Sequence, residues 1–146
     1  CTNNEYMETK IAVRGLIVAD GKLLLVKHKG RPYYALPGGK LDDNESMKAA
    51  LVRELEEELG VTAKVGELRF INEFFYEGGS YSLEFFYEVS NGNDFLAELG
   101  GSHTEVELEE IVWKESIAEG ELLPDFLRAH WSEIISGSLK SISAYE

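Results

Sequence analysis

The chain has 146 residues, 44% of them hydrophobic and 11% aromatic, with 27 acidic against 14 basic side chains and a net charge of −13. That size and apolar content suit one domain with its own core and exclude a disordered chain. The lone cysteine, Cys1, excludes an internal disulfide and a cysteine zinc site; no apolar run approaches the ~20 residues of a membrane helix; and so acidic a chain is not built to track a nucleic-acid backbone.

Residues 1–6 (CTNNEY) read as an expression remnant or a terminal extension, with Met7 a candidate native start and the domain expected over residues 7–140. No charged segment followed by an apolar one opens the chain, so a cytoplasmic protein is expected. Residues 11–18 (IAVRGLIV) are β-branched and predict a strand, Asp20-Gly21 a hairpin turn, and residues 22–27 (KLLLVK) the returning strand. Residues 29–32 predict a polar loop, 33–36 a short strand, and Pro37-Gly38-Gly39 a break. Residues 41–44 are acidic and polar, as the approach to a helix should be, and 45–59 have helical period with Gly60 as the stop. Residues 62–76 predict one long strand or two, Gly78-Gly79 a turn, and 81–89 (YSLEFFYEV) a strong strand. Asn91-Gly92 predicts another turn, 94–104 an irregular stretch, 105–113 a strand with a bulge, and 124–135 a C-terminal helix with Pro124 near its first turn. The sum is one α+β domain: a mixed sheet, one central helix and one terminal helix.

Charge is unevenly spread. Residues 1–40 carry seven bases and three acids, whereas residues 94–125 carry ten acids and one base, Lys114. An anionic ligand would therefore sit against the N-terminal third, or a metal would supply the positive charge.

The chemistry lies in residues 37–61, PGGKLDDNESMKAALVRELEEELGV. On a helix of about 100° per residue, Leu51, Val52, Leu55 and Leu59 share one face. With Glu54 at 0°, Glu57 falls near about −60° and Glu58 near about +40°, so three carboxylates crowd about 100° of arc beside the apolar stripe. Like charges so placed oppose each other. A hard divalent cation such as Mg²⁺ removes the conflict, because it takes oxygen ligands and bridges carboxylates to phosphates. Gly38 and Gly39 allow close backbone approach to a metal or phosphate, and a glycine carbonyl is itself an oxygen ligand. Arg53 can make bidentate bonds to a carboxylate, and Glu45, two turns earlier, is its expected partner.

A Glu-rich helix face alone is usually just solvated. Here the order is Gly39, five residues, Glu45, seven residues, then Arg53-Glu54-Leu55-x-Glu57-Glu58-x-Gly60-Val61. This matches the full signature of the Nudix hydrolases, which the chain resembles; seven fixed identities at about 7% each arise by chance about once in 10⁸ start positions. The hairpin IAVRGLIVADGKLLLVK, the approach YYALPGGKLD, the VWK near residue 113 and the late LLP before a helix extend the resemblance over nearly the whole chain from Lys10.

The resemblance implies an α/β/α sandwich, a mixed sheet between helices with the signature forming loop–helix–loop. It implies cleavage of the diphosphate linkage of a nucleoside diphosphate joined to another moiety, with Mg²⁺ or Mn²⁺. Carried over by position, Glu54, Glu57 and Glu58 are the expected metal ligands with the Gly38 carbonyl as a fourth, and Arg53 and Glu45 orient them. Glu54 or Glu57 is the candidate general base, neither ahead of the other. A further acid outside the signature is expected from Glu105 or Glu107, with Glu109 and Glu110 in the same stretch. Arg14 is either a phosphate contact or structurally paired; Gly39, Lys40, Lys27 and Arg31 are candidate anion contacts. Tyr33 and Tyr34 are candidate base-stacking residues, while most of the aromatics of residues 74–87 are better explained as core. His28 and His103 are assigned no role.

Secondary motifs of the ADP-ribose, dinucleoside polyphosphate, coenzyme A and NADH groups of the family are absent or displaced. What remains is a small hydrolase of nucleoside triphosphates or of nucleotide sugars such as ADP-ribose. The expected partner is a small nucleoside diphosphate derivative, with no nucleic acid and no membrane; a homodimer is compatible with the sequence. The alternative is a non-catalytic domain of the same fold that binds a nucleotide as a sensor, and an intact set of signature carboxylates counts against it. A capped-RNA hydrolase lacks its basic stripe.

Overall fold

The computed structural model describes residues 8–75, 79–99 and 108–139, and the backbone of Ser143–Tyr145. Met7, His103, Glu105 and Glu107 lie outside them, as does the first half of the Gly78-Gly79 turn. Among the described residues, seven strands form one mixed sheet in the order β6-β2-β1-β5-β4-β7, with β3 on β1. They are β1 (Thr9–Ala19), β2 (Lys22–His28), β3 (Gly38–Lys40), β4 (Val65–Phe75), β5 (Tyr81–Val89), β6 (Leu108–Lys114) and β7 (Ser143–Tyr145). The helices are α1 (Met47–Leu59), α2 (Gly92–Glu98), α3 (Phe126–Ala129) and α4 (Trp131–Ser136).

Strand β1 organises the sheet. One edge pairs in parallel with β5 along nine residues, from Thr9↔Tyr81 to Ile17↔Val89. The other edge is shared: its end pairs with β2 through a hairpin whose Asp20 and Gly21 both have positive φ (53° and 72°), and its first half pairs with β3. Alternation then sorts side chains to two faces. Val13, Ile17, Leu24, Val26, Tyr87 and Val89 pack with Leu51, Leu55 and Leu59 of α1 and with Phe95 of α2. Leu16, Leu23, Leu25, Phe70 and Phe86 pack with Leu127 and Ile134 of α3 and α4. A mixed sheet covered by helices on both faces is the expected α/β/α arrangement.

Five local expectations are corrected. Pro37-Gly38-Gly39 does not simply break the chain: Gly38–Lys40 is a strand, because Ala12, Val13 and Arg14 on β1 offer an unpaired edge. Residues 33–36 make only single bridges, Val26↔Ala35 and Tyr34↔Leu122. A turn does fall at Ser90-Asn91, but Gly92–Glu98 is a helix, α2, where an irregular stretch from residue 94 is expected; residues 100–104 of that stretch lie outside the described residues. Asn91 accepts from the Lys64 amide at 2.8 Å and donates to Thr62 O and Asp94, and Phe95 is fully buried. The single C-terminal helix is two, interrupted at His130 (φ −104°, ψ 14°). Strand β4 starts at Val65, three residues later than expected, and β7 beside it was not anticipated.

Candidate functional site

Helix α1 opens at Ser46, whose Oγ accepts from the Ala49 amide at 3.1 Å, and closes at Gly60 in the left-handed conformation (φ 75°). Its buried face carries Ala50, Leu51, Leu55 and Leu59, and also Glu58, which is 5% exposed. The helix packs beside β3, and this brings the carboxylates against the glycines.

Gly38 has φ 148°, and a Cβ there would stand 1.9 Å from the Val13 carbonyl oxygen. Its amide donates to Glu58 Oε1 at 3.2 Å. At Gly39 a Cβ would lie 2.4 Å from the Glu54 carboxyl carbon, so the missing side chain is the space that Glu54 occupies. Burial pushes the Glu58 carboxyl up to about 7, with Arg14 and the Gly38 amide pulling the other way and Glu54 and Glu57 adding to the rise. Glu54 is raised too, first by burial, with Arg53 opposing.

Arg53 gathers the rest. Nε and Nη2 donate to the two oxygens of Glu45 at 2.7 and 3.0 Å, while Nη1 donates to Glu54 Oε2 at 3.1 Å and Glu57 Oε1 at 3.2 Å. Nη2 also reaches the Lys40 carbonyl at 3.1 Å, and Asp42 stands 3.3 Å from Nε. Glu45 in turn accepts from the Asp42 amide. Its carboxyl is held below its ordinary range, first by Arg53 and then by that amide, and Glu45 raises the Arg53 guanidinium above its own.

Among the described residues, no three His, Cys, Asp or Glu side chains stand ready to enclose an ion. Arg53 Nη1 holds one oxygen each of Glu54 and Glu57. The donor set itself suits a hard cation: it is all oxygen, and two of its carboxylates are desolvated.

On the opposite face of the sheet lies a cleft of about 610 Å³, lined by Arg14, Tyr33, Asn72, Phe74 and Glu84 among others. Arg14 links it to the carboxylates: its guanidinium bears on both Glu54 and Glu58. Arg14 Nε donates to Glu84 Oε2 at 3.2 Å and Nη1 to the Leu36 carbonyl at 3.5 Å. Arg14 is thus structurally paired, and it also lines the cleft.

The other candidates separate. Tyr33 and Arg31 line the cleft. Tyr34, expected beside Tyr33 as a stacking residue, is buried at 8% exposure, with Lys27 and Lys114 over its ring at 4.7 and 5.3 Å. Its hydroxyl donates to Glu110, and burial followed by that carboxylate keeps the phenol protonated above its ordinary range. Glu110 also pairs with Lys27 at 3.5 Å. The Lys40 side chain is exposed, and only its carbonyl enters the Arg53 network. Asn72 and Glu84 were not singled out from the sequence; the available signal was polar residues at the inward alternate positions next to Phe70 and Phe86.

A family model described as NUDIX domain matches residues 8–126. An ADP-ribose pyrophosphatase from Methanocaldococcus jannaschii is 42% identical over 66 residues, covering 43% of this chain and 39% of that protein. A CTP pyrophosphohydrolase from Escherichia coli is 46% identical over 59 residues, covering 38% of this chain and 44% of that protein. The matches thus span less than half the length of these relatives. Among solved structures, the E. coli ORF135 protein superposes with a TM-score of 0.67 at 26% identity, over 89% of this chain and 91% of that one. A MutT NUDIX hydrolase from Burkholderia pseudomallei reaches 0.68 at 22% identity, over 85% and 98%, a likeness of fold.

Proposed function

The chain belongs to the Nudix family, and from that premise we propose that it is a divalent-metal-dependent pyrophosphohydrolase acting on the diphosphate linkage of a nucleoside diphosphate derivative. The observation that carries this reading is the Arg53 fork, which brings Glu45, Glu54 and Glu57 together within 3.2 Å of one guanidinium. Glu58 is held next to them by the Gly38 amide.

Glu54, Glu57, Glu58 and the Gly38 carbonyl would hold Mg²⁺ or Mn²⁺. Such an ion, when bound, supplies positive charge to the diphosphate and acidifies water. The chain's own residues do the rest. Arg53 orients the carboxylates, with Glu45 and the Asp42 amide fixing Arg53 itself. Glu54 or Glu57 takes the proton of the water that attacks phosphorus. Arg14 contacts a phosphate from the cleft side through Nη2, which makes no hydrogen bond to a described residue. Tyr33 and Phe74 offer aromatic faces to the base.

The relatives' names point to different substrates: ADP-ribose, CTP and, for a Proteus vulgaris protein 51% identical over 37 residues, 8-oxo-dGTP. The test is a turnover screen with Mg²⁺ and with Mn²⁺. Its panel holds canonical and oxidised nucleoside triphosphates, ADP-ribose, other nucleotide sugars and dinucleoside polyphosphates, with Glu57→Gln as control. One substrate cleaved well above the rest and silent in the variant establishes the activity. No metal-dependent cleavage across the panel refutes it.

A further inference from the structure

The floor of the cleft is a row of polar side chains on three neighbouring strands: Arg14 on β1, Glu84 on β5 and Asn72 on β4. The same face is otherwise filled by Leu16, Phe70 and Phe86. Polar groups so placed are costly unless they are satisfied. Glu84 bonds to both neighbours. Its Oε2 accepts from Arg14 Nε at 3.2 Å, and its Oε1 accepts from Asn72 Nδ2 at 3.1 Å.

This arrangement settles which way the Asn72 amide points. A carboxylate paired with an arginine only accepts hydrogen bonds, so the amide must turn its nitrogen toward Glu84. Oδ1 is the end left over. Asn72 is 6% exposed and lines the cleft, and the only hydrogen bond its side chain makes to a described residue is the one through Nδ2. The cleft, whose lining also includes Tyr33 and Phe74, therefore carries one oriented acceptor.

Resting on the nucleotide-substrate half of the reading above, we propose that Asn72 Oδ1 reads the nucleobase. It selects a base with an exocyclic amino group, such as cytosine or adenine, over the oxo counterpart. Glu84 is the positioning residue that sets this preference. An amino group donates to Oδ1, whereas an oxo oxygen in the same place sets two acceptors against each other and leaves both unsatisfied. Glutamine in place of Glu84 has an amide of its own: its nitrogen can donate to Asn72 Oδ1, which lets the Asn72 amide turn over and present Nδ2 to the cleft.

The test is calorimetric binding of matched monophosphates to the full chain: CMP against UMP, and AMP against IMP. The expected result is tighter binding of the amino member of at least one pair by about tenfold. Asn72→Leu should bring that ratio within about twofold, and Glu84→Gln should erase or reverse it. A merely structural role for Glu84 would weaken both members alike and leave the ratio in place. Equal affinities in the unmodified protein, preference for the oxo member, or no binding of any of the four overturns the proposal. So does an unchanged ratio in Glu84→Gln, which decides the matter if Asn72→Leu does not fold. The expected ratio without metal-dependent turnover of any nucleotide supports the base readout and overturns the hydrolase reading instead.

Discussion

Arg53 and Glu45 meet fork to fork, Nε on one carboxylate oxygen at 2.7 Å and Nη2 on the other at 3.0 Å. Eight residues and two helical turns separate them, and Glu45 lies just ahead of the Ser46 cap. The pair thus ties the loop before α1 to the middle of the helix. It leaves Nη1 aimed at Glu54 and Glu57.

Lysine keeps the charge of Arg53 but not the planar fork, and one ammonium cannot serve Glu45, Glu54 and Glu57 in these directions. Arg53→Lys should lower kcat by about 10- to 100-fold, the usual cost of losing a group that orients metal-binding residues. Glu45→Gln should follow it in the same direction by a smaller factor. Steady-state kinetics on the best substrate of the screen, at saturating Mg²⁺, checks both.

Glu58 carries a pH signature in chelator-treated protein. Its carboxyl rises from 4.5 to about 7 on folding. A raised pKa means that the folded state binds the proton more tightly. The associated stability is present below pH 4.5 and is lost as pH rises through 7, a change of about 3 kcal/mol at most. Denaturant unfolding in EDTA should show stability falling between pH 5 and pH 8. Glu58→Gln, which cannot ionise, should flatten that slope and unfold at higher denaturant than the parent at pH 8.

The two glycines before α1 should fail differently. Gly38→Ala places a Cβ on the Val13 carbonyl from a backbone conformation that alanine rarely adopts, so it should cost about 2–4 kcal/mol of stability. Gly39→Ala meets first the Glu54 carboxylate, the end of a side chain that can move. It should fold, with a smaller loss of stability and a large loss of kcat. Thermal melts and kinetics on the same two preparations separate the outcomes.

Adjacent tyrosines should divide between binding and stability. Tyr33→Ala, on the cleft wall, should raise KM more than it lowers Tm. Tyr34→Phe removes from a buried side chain a hydroxyl held to Glu110 at 3.1 Å and should cost about 1 kcal/mol, with the larger change in Tm. A larger KM effect at Tyr34 than at Tyr33 would reverse the assignment.

The sequence by itself determined the elements whose signals are local. The β1–β2 hairpin follows from β-branched runs around Asp20-Gly21, α1 from its period and Gly60, and β5 from alternation; each needs only neighbours within a few residues. The carboxylates of α1 were legible for the same reason, since helical geometry alone places Glu54, Glu57 and Glu58 together, whereas Glu45 lies ahead of the helix and meets Arg53 through the path of the loop before α1. Only the tertiary structure decided what depends on a distant partner. Gly38–Lys40 is a strand because β1 offers it an edge, and α2 forms around Phe95 because a buried pocket takes that ring. Tyr34 and Tyr33 part company because one faces the core and the other the cleft. The row Arg14–Glu84–Asn72 joins residues up to 70 positions apart. No period or spacing encodes that contact; it exists because β1, β5 and β4 lie side by side in register, and hydrogen bonds between side chains form only where folding has already brought the strands together.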